Sequence, residues 1–114
     1  REIAAKYEKS LKRIKEIRLP PAPGSQKEHF DIFQNYEIQA DNRDALKEFL
    51  ANDGIGTIVQ WGGKALHQFA NLGFQCRLPN TDELFKKCLL LPMNTSLTDE
   101  EVDFICSKIH LFFS

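Results

Sequence analysis

The apolar positions of the chain fall into blocks of different period, and each period predicts an element. From Ile3, apolar side chains recur at three- and four-residue steps through Tyr7, Leu11, Ile14 and Ile17, the spacing of one face of an amphipathic helix. That helix is predicted to stop before Leu19-Pro20-Pro21, since a proline disfavours the α conformation in the residue before it. No Ser, Thr, Asp or Asn precedes it, and an uncapped helix at Arg1 leads to the expectation that these residues were excised from a longer chain. After a Pro/Gly/Ser loop over 20–26, partial alternation around Phe30, Ile32, Asn35, Tyr36 and Ile38 predicts a strand over 29–39. Asp41-Asn42 offers an N-cap for a helix carrying Leu46, Phe49 and Leu50, with Gly54 as the left-handed residue at its end.

Residues 54–69, GIGTIVQWGGKALHQF, break this regularity. Thr57-Ile58-Val59 is predicted to be a short buried strand, because β-branched residues suit a packed pleat. It exits at Gln60 and Trp61 into Gly62-Gly63, where the backbone can take positive φ or approach another group closely. A short helix is predicted over 65–71, closed by Gly73. Asn80 with Glu83 resembles a capping pair for a helix holding Leu84, Phe85 and Cys88. Leu89-Leu90-Leu91, running into Pro92, predicts a very short buried strand. Thr98 and Glu101 form a capping-box pattern flanked by a Leu97/Val102 staple, and Val102, Ile105, Cys106, Ile109 and Phe112 line one face of a last helix. The sum is an α+β fold: about three strands in one small antiparallel or mixed sheet, covered by four or five helices, with strands too few and irregular for a doubly wound sheet.

At 114 residues and 42% hydrophobic, the chain has the content of one domain with its own core. Fifteen basic and 16 acidic residues are interspersed, with a net charge of −1, so there is no basic stripe to track phosphates and nucleic acid is not an expected partner. No apolar run reaches the roughly 18–20 residues of a membrane span, and the N-terminus lacks a signal peptide's apolar core; a soluble, cytoplasmic protein without a membrane partner is expected. Three cysteines, Cys76, Cys88 and Cys106, are odd in number and widely spaced, which predicts buried free thiols.

The candidate chemistry is sparse. His29, His67 and His110 are dispersed, without metal-ligand spacing, and His110 is accounted for by a helix C-terminus, where the dipole favours positive charge. No Ser or Cys lies in a strand-turn-helix elbow and no carboxylate pair stands apart, so no catalytic residue is assigned. Gly62-Gly63-Lys64 lacks the length and trailing hydroxyl of a P-loop. In the 54–69 loop, Trp61 is either half-buried packing or a platform for a ligand ring. Lys64 is either a surface lysine or a point charge for a phosphate. His67 is either a packing or surface residue or a ligand contact.

The succession IAAKYEKSLKRIKEIRLP, HFDIFQNYEI, NRDALKEFLANDGIGT, a loop with LHQF, and LLLPMNTSLTDEEVDFICSKI resembles the C-terminal part of the DegT/DnrJ/StrS family over essentially all 114 residues. These are pyridoxal-phosphate-dependent aminotransferases that act on nucleotide-linked keto sugars. The resemblance implies the small domain of a fold-type-I enzyme, spanning residues 1–114. It places the cofactor lysine in a larger preceding domain of the same chain and implies a homodimeric parent, so no cofactor is expected on these residues alone. The family commonly carries His-Tyr after its G-[IV]-x-T strand and then Pro-Leu-His, near the sugar-nucleotide site. Gln60 and Trp61 stand where His-Tyr would, and Ala65-Leu66-His67 where Pro-Leu-His would, so His67 carries over and the other two do not. Gln60, Trp61, Lys64 and His67 are the candidate substrate-binding residues. A dehydratase or regulatory member of the same family, or a cofactor-free binding module, remains as the alternative.

Overall fold

In the computed structural model, which describes residues 1–114, helix α1 (Glu2–Leu11) leads through a turn to strand β1 (Ile17–Arg18). Strand β2 (Tyr36–Ala40) and helix α2 (Arg43–Asn52) follow, then a long irregular segment, helix α3 (Pro79–Lys87), strand β3 (Cys88–Leu91) and helix α4 (Asp99–Phe112). The strands form one antiparallel sheet in the order β1-β2-β3, with Ile17 opposite Ala40 and Ile38 opposite Leu89. The expected α+β architecture is therefore present, with four α-helices and three strands.

Side-chain alternation sets the sheet's inner face. Along β2, Tyr36, Ile38 and Ala40 are buried while Glu37 and Gln39 are partly exposed, whereas all four residues of β3 are buried, the mark of a strand covered on both faces. Leu46 and Leu50 of α2, Ala4, Tyr7 and Leu11 of α1, and Val102, Ile105, Cys106 and Ile109 of α4 complete a core of 18 buried residues. Helix α4 begins as its sequence predicts: Glu101 N–H donates to Thr98 Oγ1 at 3.2 Å, and Thr98 N–H donates to Glu101 Oε2 at 2.8 Å, so two otherwise orphan amides are satisfied. Gly54, at φ +78°, turns the chain out of α2.

Several boundaries differ from expectation, each because a tertiary or turn interaction overrides a local pattern. Helix α1 ends at Leu11; Ile14 and Ile17 are still buried, but Ile17 is captured by the sheet opposite Ala40. The strand predicted over 29–39 is confined to Tyr36–Ala40. Phe33 takes φ +53° and its N–H donates to Asp31 Oδ1 at 2.7 Å, an Asx turn that ends the alternation and leaves Phe30 and Ile32 exposed. Asn42 is the N-cap of α2 but sits in the left-handed region without a side-chain cap bond. Helix α3 starts at Pro79 after Leu78, not under an Asn80 cap, since proline is pre-set for the first helical position. Cys88 leaves that helix and opens β3. Cys88 and Cys106 are buried free thiols, but Cys76 is exposed. No helix is long and apolar enough to cross a membrane.

The segment 56–78, the arm, departs most from the rest. No residue from 56 to 87 is buried, and the arm holds seven of the eleven large exposed hydrophobic side chains, Ile58, Trp61, Leu66, Phe69, Leu72, Phe74 and Leu78. The radius of gyration, 15.3 Å, exceeds the about 13 Å of a compact domain this long, in keeping with a projecting arm.

Candidate functional site

The arm is tied to the domain at its root. Ile55 is buried and its N–H donates to Leu50 O at 2.9 Å. Ile58 exchanges two backbone hydrogen bonds with Leu90, at 3.2 and 2.8 Å. Residues 57–59 are not the buried strand their β-branched run predicts. They make one isolated bridge at the edge of β3, and Ile58 is 63% exposed. The run is too short, and the glycines on both sides too permissive, to extend the ladder.

Past that bridge the backbone turns sharply. Trp61, Gly62 and Gly63 take φ of 56°, 65° and 77° in succession. Two of these are glycine, where the left-handed region costs little. Trp61 carries a side chain there, a conformation that costs about 1–2 kcal/mol, and its ring is 77% exposed. Trp61 therefore does not pack into the core of these residues. The helix predicted over 65–71 is two 3-10 turns, Leu66–Gln68 and Ala70–Leu72, with Gly73 closing the second at φ +75° as expected.

The turns fold the arm around an open groove of about 750 Å³, lined by Trp61, Lys64, Ala65, Leu66, Phe69 and, from α3, Phe85. Its walls are apolar except for Lys64, whose Nζ stands 5.9 Å from the Phe69 ring centroid. Gln60 is partly exposed at the start of the turn and does not line the groove. His67 turns away: its side chain is only 8% exposed, and Nε2 lies 2.6 Å from Asp82 Oδ1. Gln68 Nε2 donates to the same oxygen at 2.7 Å, and Gln68 Oε1 accepts from the Ala65 N–H at 3.0 Å. Hydrogen bonds from His67, then Gln68, hold the Asp82 carboxyl below its ordinary pKa.

Of the four sequence candidates, the structure brings Trp61 and Lys64 together at the groove and sets His67 beside Asp82. Sequence reasoning missed Leu66, Phe69, Asp82 and Phe85. The 15-residue separation of His67 from Asp82 hid their pairing, because nothing local distinguishes that carboxylate from its neighbour Glu83, the other acid of α3. An apolar wall beside a single cation suits a flat ring with an attached anion: the ring stacks on the aromatic faces, and the ammonium meets the anion as a point charge. No group of three metal-ligating side chains exists. None of the lysines is buried: Lys87 pairs with Asp41 and Glu83, Lys108 with Asp53, and Lys64 stands in solvent. A Schiff-base lysine must be desolvated and held beside its cofactor, so these residues do not form a pyridoxal-phosphate cradle.

Comparison with known proteins agrees with the fold. Residues 1–110 match the DegT/DnrJ/EryC1/StrS aminotransferase family. A pleiotropic regulatory protein of Geobacillus stearothermophilus is 35% identical over 88 residues, which are 74% of this chain and 23% of that protein. A dTDP-4-dehydro-2,3,6-trideoxy-D-glucose 4-aminotransferase of Saccharopolyspora spinosa is 30% identical over 104 residues, 90% of this chain and 26% of that protein. Among solved structures, an aminotransferase of the same family from Brucella abortus superposes with a TM-score of 0.82 at 29% identity, over 99% of this chain and 30% of that one. The chain thus spans about a quarter of the length of the curated relatives it matches.

Proposed function

The chain belongs to the DegT/DnrJ/EryC1/StrS aminotransferase family, and from that premise we propose that it is the C-terminal small domain of a pyridoxal-phosphate-dependent enzyme. That enzyme transfers an amino group to a nucleotide-linked keto sugar. The observation that carries this reading is the arm's groove, where an exposed aromatic wall and one cation, Lys64, suit a nucleobase ring and the diphosphate attached to it. Trp61 offers the stacking face, Lys64 the charge, Gln60 an amide just before the turn, and His67 steadies the arm through Asp82. When bound in a larger domain of the same chain, pyridoxal phosphate supplies the electron sink for moving the amino group. These residues bind and orient the sugar nucleotide and leave the chemistry to that domain. A cytoplasmic homodimer is the assembly proposed.

The test uses the full-length protein. A yellow protein bleached by an amino donor and regenerated by the keto sugar is expected, and Trp61→Ala is expected to raise KM for the sugar nucleotide about tenfold, the loss of one stacked ring. A second reading, a regulatory family member, is favoured by the regulatory relative that is 35% identical. A protein that binds the cofactor but turns over no keto sugar would support it, and a colourless full-length protein would overturn both and leave a cofactor-free binding module.

A further inference from the structure

The arm has a polar anchor that its apolar groove depends on. Between residue 56 and the end of α3 no residue is buried as a whole, yet the His67 side chain is more than nine-tenths enclosed, and its partner is a carboxylate on a different element. One oxygen, Asp82 Oδ1, holds both His67 Nε2 and Gln68 Nε2. Gln68 in turn caps the Ala65 amide, so α3 is connected through two side chains to the backbone immediately after Lys64. Phe85, the one groove wall that α3 provides, lies three residues on from Asp82 and hence on the same helix face. The other five lining residues come from the arm. The distance between the two walls is therefore set by whatever ties the arm to α3. Phe69 is 38% and Leu66 69% exposed, so neither is a fully buried apolar anchor.

The geometry points to Asp82 as a positioning residue: through His67 and Gln68 it clamps the arm against α3, holds the Trp61–Phe69 wall opposite Phe85, and so sets the width of the groove. Asp82 touches no groove ligand and acts only through the two side chains it holds. As regards the ligand, the inference rests on the sugar-nucleotide reading; as regards the clamp, it does not.

Trypsin reports the clamp directly in the full-length protein, because the bond after Lys64 is the one whose amide, Ala65 N–H, Gln68 caps. Asp82→Ala is expected to speed cleavage after Lys64 about tenfold, the effect of releasing a charge-assisted hydrogen bond, while cleavage after Lys27, in a separate exposed loop, stays unchanged as the internal reference. Asp82→Asn keeps an acceptor oxygen and restores protection in part. Adding His67→Ala to Asp82→Ala gives no further increase, since both remove one clamp. Unchanged cleavage in Asp82→Ala, or additive effects in the double variant, would overturn the inference. In the same variant, KM for the nucleotide-linked sugar is expected to rise several-fold with kcat little changed. Faster cleavage with an unchanged KM leaves the clamp standing and overturns the sugar-nucleotide reading of the groove.

Discussion

The core and the arm use similar residues to opposite ends. Eleven of the 23 residues in 56–78 are hydrophobic, a share no smaller than the 42% of the whole chain. Yet the core holds 18 buried residues, while no residue of the arm is buried as a whole. The difference lies in period and punctuation. In α1, α2, α4 and the sheet, apolar residues recur on one face, so a single packing event buries them together. In the arm they are scattered between glycines and 3-10 turns, and no second layer lies over them. The core is held by apolar burial; the arm is held by a backbone bridge at Ile58, a left-handed turn and the clamp on Asp82. The first region holds the buried core, and the second holds most of the large exposed apolar side chains.

The contrast breaks if truncations in the two regions cost alike. Leu50→Ala, at a fully buried position, is expected to lower unfolding free energy by about 2–5 kcal/mol, whereas Leu72→Ala, half-exposed in the arm, should change it by no more than about 0.5 kcal/mol; urea denaturation of both variants measures the gap. A smaller effect sharpens the same division. Thr98→Ala removes one half of the α4 capping box and should cost about 1 kcal/mol, visible in the denaturation midpoint, with the rate of trypsin cleavage after Lys64 unaltered.

Acid should act on the arm with the least effect on global stability. The folded-state pKa of Asp82 is depressed, so its stabilising contribution is present above the ordinary carboxylate value of about 3.9. It is lost as pH falls from there through the depressed value. Hydrogen exchange at the Ala65 amide should therefore lose protection over that acid window while core amides such as Leu89 keep theirs. Parallel loss at both positions would contradict a separately held arm.

Much of the fold is legible in the sequence because it rests on local signals. The Thr98/Glu101 pair announces the start of α4, Leu46 and Leu50 announce the buried face of α2, and Leu89-Leu90-Leu91 announces a strand covered on both sides. The errors fall where two signals compete. Ile14 and Ile17 extend the period of α1, but sheet pairing claims Ile17; Phe30 and Ile32 continue the alternation of β2, but the Asx turn at Asp31 and the inverted backbone at Phe33 cancel it. Of the site, the sequence exposes Trp61, Lys64 and His67 as residues standing out from a glycine-marked loop. It conceals Phe85 and Asp82, which look like ordinary positions of an amphipathic helix.

By itself, then, the sequence determined helices α1, α2 and α4, the strand at Leu89–Leu91, the α+β class, the inward faces of those helices and the family. Period, capping and turn chemistry act within a few residues, and a family pattern is written along the chain. Only the tertiary structure decided that the β-branched run at 57–59 is an edge bridge, that Trp61 stands in solvent, and that His67 meets Asp82. Each of these depends on whether distant chain is present to cover or pair a group, and a one-dimensional pattern does not carry that information.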